Sequence, residues 1–595
     1  MNLKELKALL SKQKIIAIDT ETTGLNFDDE VVGISLAWGI RKEESVYLPI
    51  KHKVGKNYSL EDIKALLSNP LISENVIKVF HNFYFDYLQL KKLGLEVNEW
   101  YEDTKLIAYL LDPEQDTSLS AQSKKYNLKN QKEKNELKNL IKVKNRLTTF
   151  DTVSIDEADE YSSKDARATL ELFSFVNFEL KKNSVLYDWY ECIELPLEKV
   201  LAEMTWNGIN LDTALLQELH LNFEKQLNQL EKEIHLLAKE EFNVNSSKQL
   251  QRILYRVLGL PKIKMTDKGQ LSTDNESLQA LESYHPIIPK LLRYRKIKKL
   301  YSTYTTTLVD KLSKHDNRLH TTFSQMVTAT GRLASSNPNL QNIPKKDEEG
   351  RKIREAFVAK KGHKFIIADY KQIELMVAAF LSGENKLYNA FKNGEDVHQM
   401  TANSLFANEK DKVVARLNAK KVNFGVLYGM GAGGLSKVLN CHPRTAKKVL
   451  DDYFKTYPML KLYAEQTALE AETFGYVKTI SGRIRYIRDI NSTNEKNRKH
   501  AERIAINTPV QGSAADIIKI AMVQLQKEID RNKLDAKILI QVHDELIVEV
   551  KNSEVKKMKD IIEKSMTKFY LWDIPKKLED ILAVSIDIND RWVKD

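Results

Sequence analysis

Cysteine is almost missing from this chain: Cys192 and Cys441 are the only two in 595 residues. They stand far apart, in no C-x-x-C or Cys/His spacing, so neither a disulfide framework nor a zinc site is indicated and a reducing compartment fits. Long apolar runs are missing too. The longest, Leu375 to Leu381, cannot span a bilayer. Met1 to Lys14 is a Leu/Lys/Glu helix pattern without an apolar h-region, so neither export nor membrane insertion is expected. No internal repeat is found.

What is present is length and positive charge. At 595 residues the chain is too long for one ordinary domain, and roughly two to four cores are expected. Apolar residues at 42% and charged residues at 29% are ordinary for a folded globular protein. A net charge of +10 and a pI near 9.0 favour polyanionic partners, since neutralised phosphates release counterions. The same lysine and asparagine abundance also fits an AT-rich genome.

From Lys14 to about Leu180 buried-strand runs, Ile15 to Ile18 and Val76 to Phe80, alternate with helix-compatible stretches, which reads as one α/β domain. Inside it, the Lys/Asn-rich run Lys124 to Arg146 reads as a solvated helix or loop. Helical spacing dominates from about Asn183 to Tyr304. Beyond His320 strands return in Lys364 to Ala368 and Lys537 to Val550, with a mainly helical block between them. A sheet platform with a large helical insertion is implied.

Two groups of acids carry the chemistry. The strand Ile15 to Ile18 runs into Asp19-Thr-Glu21, whose carboxylates share one side of an extended chain. Such a pair at a strand end can hold a divalent metal. His81-Asn-Phe-Tyr-Phe-Asp86 follows a second strand, and Tyr161 and Asp165 share a helix face at i, i+4. Each has an ordinary reading as well, Asp86 and Asp165 as helix-face charges and Tyr161 as a core aromatic. Taken in order, these residues resemble the proofreading exonucleases of the DEDD class, tyrosine subtype, which share an RNase H-like sheet. The resemblance implies that Asp19, Glu21, Asp86 and Asp165 hold two divalent ions, and that Tyr161 orients the attacking water.

The second group lies at Asp369-Tyr-Lys-Gln-Ile-Glu374, at a strand end, and at His543-Asp544-Glu545, between strands. Glu545 also reads as a plain turn residue. Between them Arg416, Lys420, Phe424 and Tyr428 recur every four residues, so two cations and two aromatics share one broad helix face. Cations there can grip a triphosphate, while aromatics stack on sugar and base. Pro509 in Arg503-x-x-x-Asn507-x-x-x-Gln511 predicts a helix that stops or kinks before Gln511.

These residues, with Thr328 to Leu333, Pro338 to Pro344 and the Arg503 to Gly512 pattern, resemble family A DNA polymerases, from about Lys14 to the end. The resemblance implies an α/β multidomain chain: an RNase H-like 3′→5′ exonuclease over 1–180, then a right-hand polymerase over 181–595, with thumb about 223–304, fingers about 375–496 and palm the remainder. It further implies a template-directed, two-metal polymerase acting on primer–template DNA and dNTPs. Two Mg²⁺ are implied at each site, with Mn²⁺ able to substitute. Asp369 and Asp544 would bind the polymerase pair, with Glu545 beside them. Arg416, Lys420, His398 and Gln372 would hold the nucleotide, Lys420 also protonating pyrophosphate. Phe424 would meet the sugar, Tyr428 would guard the templating position, and Glu374 would fill the space of a ribose 2′-hydroxyl. DNA contacts would come from Arg332, Gln341, Asn342, Arg503, Asn507, Gln511 and His543, and from Arg295, Lys298 and Lys299 of the thumb. For those last three a merely solvated helix face stands as the alternative reading.

Lys371 departs from the small serine usual in the family and Lys346 from an arginine, and lysine lacks the bidentate contact of arginine. No segment for a 5′ nuclease precedes the exonuclease, so no flap cleavage is expected. A monomer in the cytoplasm is expected, with DNA in a bacterial nucleoid, a phage-infected cell or an organelle. Three rivals stand beside this reading: an exonuclease with a non-catalytic C-terminal clamp, a nucleic-acid scaffold, and an RNA polymerase relative. Intact Asp369, Lys420 and Asp544 oppose the first, two complete sets of metal carboxylates oppose the second, and Glu374 with the proofreading domain opposes the third.

Overall fold

A computed structural model describes residues 2–143, 146–266, 269–345 and 347–593. Lys346 and two positions of the Lys124 to Arg146 run lie outside them. The chain divides into two compact units, one of residues 1–207, 322–337 and 366–588, the other of 208–321, 338–365 and 589–595.

The first unit opens with a five-stranded sheet of β1 (Ile15–Thr22), β2 (Val31–Ala37), β3 (Ser45–Pro49), β4 (Ile77–Phe80) and β5 (Tyr101–Asp103), in the order β3-β2-β1-β4-β5. β1, β2 and β3 pair antiparallel, while β1, β4 and β5 run parallel. This is the RNase H-like sheet that the DEDD resemblance implies. β2 is buried at every position, as a strand covered on both faces must be. Its Gly33 is dictated by Tyr47, since a Cβ there would lie 2.1 Å from the phenol oxygen.

Three helices bring side chains to this sheet: α1 (Phe83–Lys92), α2 (Thr104–Leu111) and α3 (Ile155–Lys181). Ser154 caps α3 by accepting from the Glu157 amide, and Ala158, Ser162, Ala166 and Leu170 form its buried stripe at i, i+4. α1 has no side-chain cap of its own, because Asn82 before it has φ +97°. Asp103 supplies the missing acceptor. Fully buried, its carboxylate accepts from the amides of Asn82 and Phe83 at the start of α1 and of Lys105 and Leu106 at the start of α2.

The second sheet of this unit is built from β6 (His363–Tyr370), followed by α4 (Ile373–Ser382), α5 (Val397–Leu405), α6 (Lys412–Leu427) and α7 (Glu495–Arg531), then β7 (Ala536–Val542), β8 (Glu545–Lys551) and β9 (Val584–Asn589). The strand order is β7-β8-β6-β9. Of the two expected outcomes the stop does not occur, for α7 continues through Pro509, and Arg503, Asn507 and Gln511 share one helix. One lost helix bond costs about 3 kcal/mol. Beyond it α7 buries Ile517, Ile518, Ile520, Met522, Val523 and Leu525, each contributing roughly 1.5–3 kcal/mol. Packing therefore wins over the proline.

In the second unit, helices Thr213–Ala238 and Ile287–Leu300 pack through Leu216, Leu219, Phe223 and Leu227 on one and Ile287, Leu291, Tyr294 and Ile297 on the other. Arg293 and Lys296 bond Glu349 there. No helix among the described residues is long and apolar enough to cross a membrane.

Asp103→Ala is expected to destabilise the first unit by about 3 kcal/mol or more, since two buried and two partly buried amides lose their acceptor. Urea unfolding followed by circular dichroism checks this. A loss below about 1 kcal/mol would mean that water replaces the carboxylate at both helix starts.

Candidate active sites

On β1 the side chains of Asp19 and Glu21 point to one side, and α3 lays Asp165 against them. Carboxylate oxygens of Asp19, Glu21 and Asp165 lie within 4.8 Å of one another. Ser162, one turn before Ala166 on the buried face of α3, donates to Glu21 at 2.7 Å. Asp86 of α1 is held beside this trio rather than in it, accepting from the Thr20 amide at 2.9 Å and the Thr20 hydroxyl at 2.6 Å. Tyr161 stands one turn before Asp165 and packs against Phe150 at 5.9 Å between ring centroids. The structure thus gathers all five residues named from the sequence.

Crowding leaves an electrostatic signature. Burial first, then Asp86, Glu21 and Asp165, hold the Asp19 carboxyl well above its ordinary value. Burial and then Asp165 push Glu21 up to about 8, and burial raises Asp86 to about 7. Asp165 is raised by burial against the opposing pull of Lys132. A hard divalent cation suits this all-oxygen donor set.

The second site lies at the end of β6 and the turn between β7 and β8. The Tyr370 amide donates to the Asp544 carbonyl at 3.1 Å, which sets Asp369 beside that turn. His543 in the turn has φ +57°, and Gln372 just before α4 has φ +60°. A cavity of about 300 Å³ opens here, lined by Arg332, Gln372, Glu374, Phe424, Tyr428, His543 and Asp544 among others. Glu545 is fully buried as the first residue of β8, not an exposed turn position. Asp544 lines this cavity and Asp369 stands beside its turn, and two such oxygen donors again fit a hard divalent ion.

α6 carries the stripe read from the sequence, with Tyr428 as the residue that ends the helix instead of an interior position. Phe424 and Tyr428 stack at 6.3 Å. Glu374 accepts from both Tyr428 and Arg332. Arg416 pairs with Asp396 at 2.7 Å. His398 lies 5.7 Å from the Phe424 ring. The Asn423 amide donates to Nδ1 of His398 at 3.0 Å, leaving the ring proton on Nε2. That nitrogen is buried without a hydrogen-bond partner among the described residues. Burial and then Lys420 lower His398 to about 4, so it is a neutral donor at neutral pH.

Of the expected DNA contacts, Arg503, Asn507 and Gln511 lie along α7, and the Asn507 side chain donates to the Tyr428 carbonyl at 3.1 Å. Gln341, Asn342, Lys298 and Lys299 belong to the second unit. Arg295 turns inward to the Thr273 carbonyl instead of standing free on a helix face.

Residues 213–594 match the family model for DNA polymerase family A, and residues 1–181 match that for a 3′–5′ exonuclease. Over its whole length the chain is 40% identical to DNA polymerase I of Borreliella burgdorferi, covering 64% of that protein. It is 36% identical to DNA polymerase I of Pseudomonas aeruginosa, over 98% of this chain and 64% of that one. A solved structure described as the POL domain of Pol1 from M. smegmatis, in complex with DNA primer-template and dNTP, matches with a TM-score of 0.85 at 30% identity. That match covers 100% of this chain and 98% of the other. The chain belongs to the family A DNA polymerases. It spans under two-thirds of the length of the two curated relatives named.

Several residues that shape these sites are not marked in the sequence. Asn423 lies on α6 between Lys420 and Phe424 but off their shared face, and only its full burial beside His398 reveals it. Arg483 donates to the Thr330 carbonyl and pairs with Asp516 at 2.6 Å. It thereby fixes the turn at Gly331, whose φ is +87° and where a Cβ would lie 2.3 Å from the guanidinium. That turn presents Arg332. Lys132 departs from the solvated reading of its charge run, for its side chain is 5% exposed and 2.7 Å from Asp165.

A carboxyl raised by folding binds more protons folded than unfolded, so stability falls as pH climbs from the unfolded to the folded pKa. For Glu21 that interval runs from 4.5 to about 8, and for Asp86 from 3.8 to about 7. In EDTA the thermal midpoint of the unit that holds this sheet is expected to fall steadily across about pH 5 to 8. Saturating Mg²⁺ should remove the decline, because metal ligation needs the deprotonated acids. A midpoint that stays level in EDTA across this range would count against the raised pKa values.

Proposed function

We propose that this chain extends a DNA primer on a template and removes mispaired 3′ ends, at two separate sites. The observation that carries this reading is the presence of two carboxylate sets on two different sheets, one beside Tyr161 and the other facing the α6 stripe. The M. smegmatis neighbour holds primer-template DNA and a dNTP, and the same ligand classes are proposed here.

At the first sheet Asp19, Glu21 and Asp165, with Asp86 behind them, are the proposed holders of two divalent ions. At the second, Asp369 and Asp544 are. Such ions, when bound, stabilise the attacking and leaving oxygens of a phosphodiester displacement. The remaining tasks fall to the protein. His398 donates from Nε2 to a triphosphate oxygen, and Arg416 and Lys420 supply positive charge along the same helix face. Lys420 is exposed and is the assigned proton donor to the leaving pyrophosphate. Phe424 meets the sugar, and Glu374 closes the space that a 2′-hydroxyl would need. Tyr428 lies over Glu374, so an incoming sugar enters by opening that bond. Arg332, Asn507 and Gln511 are the assigned contacts to the primer–template minor groove, whose acceptors every base pair presents. Thumb, fingers and palm follow the boundaries about 223–304, about 375–496 and the remainder.

Separate sites predict separable losses. Asp19→Ala with Glu21→Ala is expected to cut 3′ excision by at least ~10²-fold while extension stays near wild type, and Asp544→Ala should do the reverse. Primer extension and single-strand excision, assayed on the same preparations, decide this. Joint loss in either folded variant would refute two independent sites.

A tyrosine at position 424 would bring a hydroxyl to the place of a nucleotide 3′-oxygen, adding a hydrogen bond worth up to about 1.5 kcal/mol. Phe424→Tyr is therefore expected to raise dideoxynucleotide insertion relative to dNTP by up to about tenfold, in an excision-deficient background. An unchanged ratio in single-nucleotide insertion would remove Phe424 from the sugar.

A further inference from the structure

Lys132 stands apart from the lysines around it. Lys124, Lys125, Lys129, Lys134 and Lys138 are exposed, whereas Lys132 is buried. Its ammonium lies 2.7 Å from Asp165 Oδ1 and 3.7 Å from the centroid of the Tyr161 ring. The backbone delivering it is anchored. Its amide donates to Ser123 at 3.1 Å. The amides of Lys129 and Asn130 donate to Glu171 at 2.8 and 3.1 Å, and Arg167 donates to the Asn130 side chain at 3.2 Å. Arg167 and Glu171 belong to the helix that carries Tyr161 and Asp165, so the lysine is registered to both.

A cation that sits on a carboxylate of a metal set competes with the metal. A divalent ion of magnesium size binds a carboxylate oxygen at about 2.1 Å, and an ammonium on that same oxygen would then face it at contact range. The structure also provides a second seat. Glu136 lies 3.4 Å from the Lys132 ammonium and is itself 29% exposed on its side chain.

We propose that Lys132 is a built-in counter-cation of the excision site, seated on Asp165 and Tyr161, which a divalent ion displaces toward Glu136 on binding. The inference rests on the excision reading of this carboxylate set. It makes Lys132 a positioning residue that neutralises the crowded acids before metal arrives and sets the metal concentration at which the site fills. It also links filling to Tyr161, since the departing ammonium leaves that ring.

The test measures metal binding rather than excision. In a background with Asp369→Asn and Asp544→Asn, so that the polymerase acids do not contribute, free Mn²⁺ is titrated by electron paramagnetic resonance against the parent, Lys132→Met and Lys132→Gln. If the lysine-seated form holds about nine-tenths of the molecules, removing the lysine tightens Mn²⁺ binding roughly tenfold. The same variants should melt earlier than the parent in EDTA, having lost the cation that neutralised the acids. A lysine with a merely structural role would lower the midpoint and leave Mn²⁺ affinity equal or weaker, and that result overturns the proposal. Asp19→Ala with Glu21→Ala in the same background separates the two readings. If this control binds Mn²⁺ like its parent, the excision site assignment and the counter-cation fall together. If it loses the ion while both lysine variants match the parent, only the counter-cation falls.

Discussion

Three carboxylates whose oxygens lie within 4.8 Å of one another repel, by about 3–4 kcal/mol for each charged pair at an effective dielectric of ~20. That repulsion is answered by rigidity. β1 is clamped between β2 and β4, so Asp19 and Glu21 have no route apart. α3 is 27 residues long and buried along one stripe, so Asp165 cannot drift without moving the whole helix. Asp103 then fixes the starts of both α1 and α2, which keeps Asp86 at its place behind Thr20. What rigidity leaves over is absorbed by protons on the raised acids and by the Lys132 ammonium. The fold around the first sheet is in this sense a frame for charges that would otherwise separate.

The second site meets the same need with turns instead of helices. Gln372, His543 and Gly331 all have positive φ, and all three flank the cavity or present a residue to it. Left-handed backbone at a glutamine and a histidine carries a cost of order 1–3 kcal/mol each. It persists here because the neighbours over-determine it: the Tyr370 amide takes the Asp544 carbonyl, and the Gln541 side chain takes that of His543 at 2.6 Å. Strain at these positions aims Asp544 and Glu374 at one volume.

Local periodicity carried most of what could be read in advance. Asp19 and Glu21 at period two, Tyr161 and Asp165 at i, i+4, and the four-residue steps from Arg416 to Tyr428 are properties of single elements, and all reappear in the structure. The residues that were missed act across elements. Asn423 is an ordinary helix residue until His398 of α5 lies against it, and Arg483 is an ordinary surface cation until Thr330 and Asp516 close over it. Lys132 was hidden by composition, since one buried lysine inside a lysine-rich run has no local mark. Pro509 does not stop α7 for the opposite reason: a local rule was right about the lost bond and silent about the buried turns beyond it.

Buried ions beneath the second sheet extend this argument to the link between the two halves of the first unit. Lys519 of α7 and Glu194 are both fully buried and 2.7 Å apart, and Glu194 also accepts from Trp189 and Gln325. Replacing such a pair with apolar residues is often neutral for stability, whereas removing one partner costs about 3–5 kcal/mol. Bulk stability is therefore a weak explanation for its presence. Its geometry is a stronger one. Glu194 lies in the segment joining the first sheet to the rest of the unit, Gln325 lies seven residues before Arg332, and Lys519 lies eight residues after Gln511 on one unbroken helix. Arg483 and Asp516 repeat the device one turn earlier on α7 and hold the Gly331 turn. Apolar contacts would tolerate a slide of one helix turn between these segments, while directional ion pairs at 2.6 and 2.7 Å admit one register. That register sets Arg332 against Glu374 at the cavity mouth.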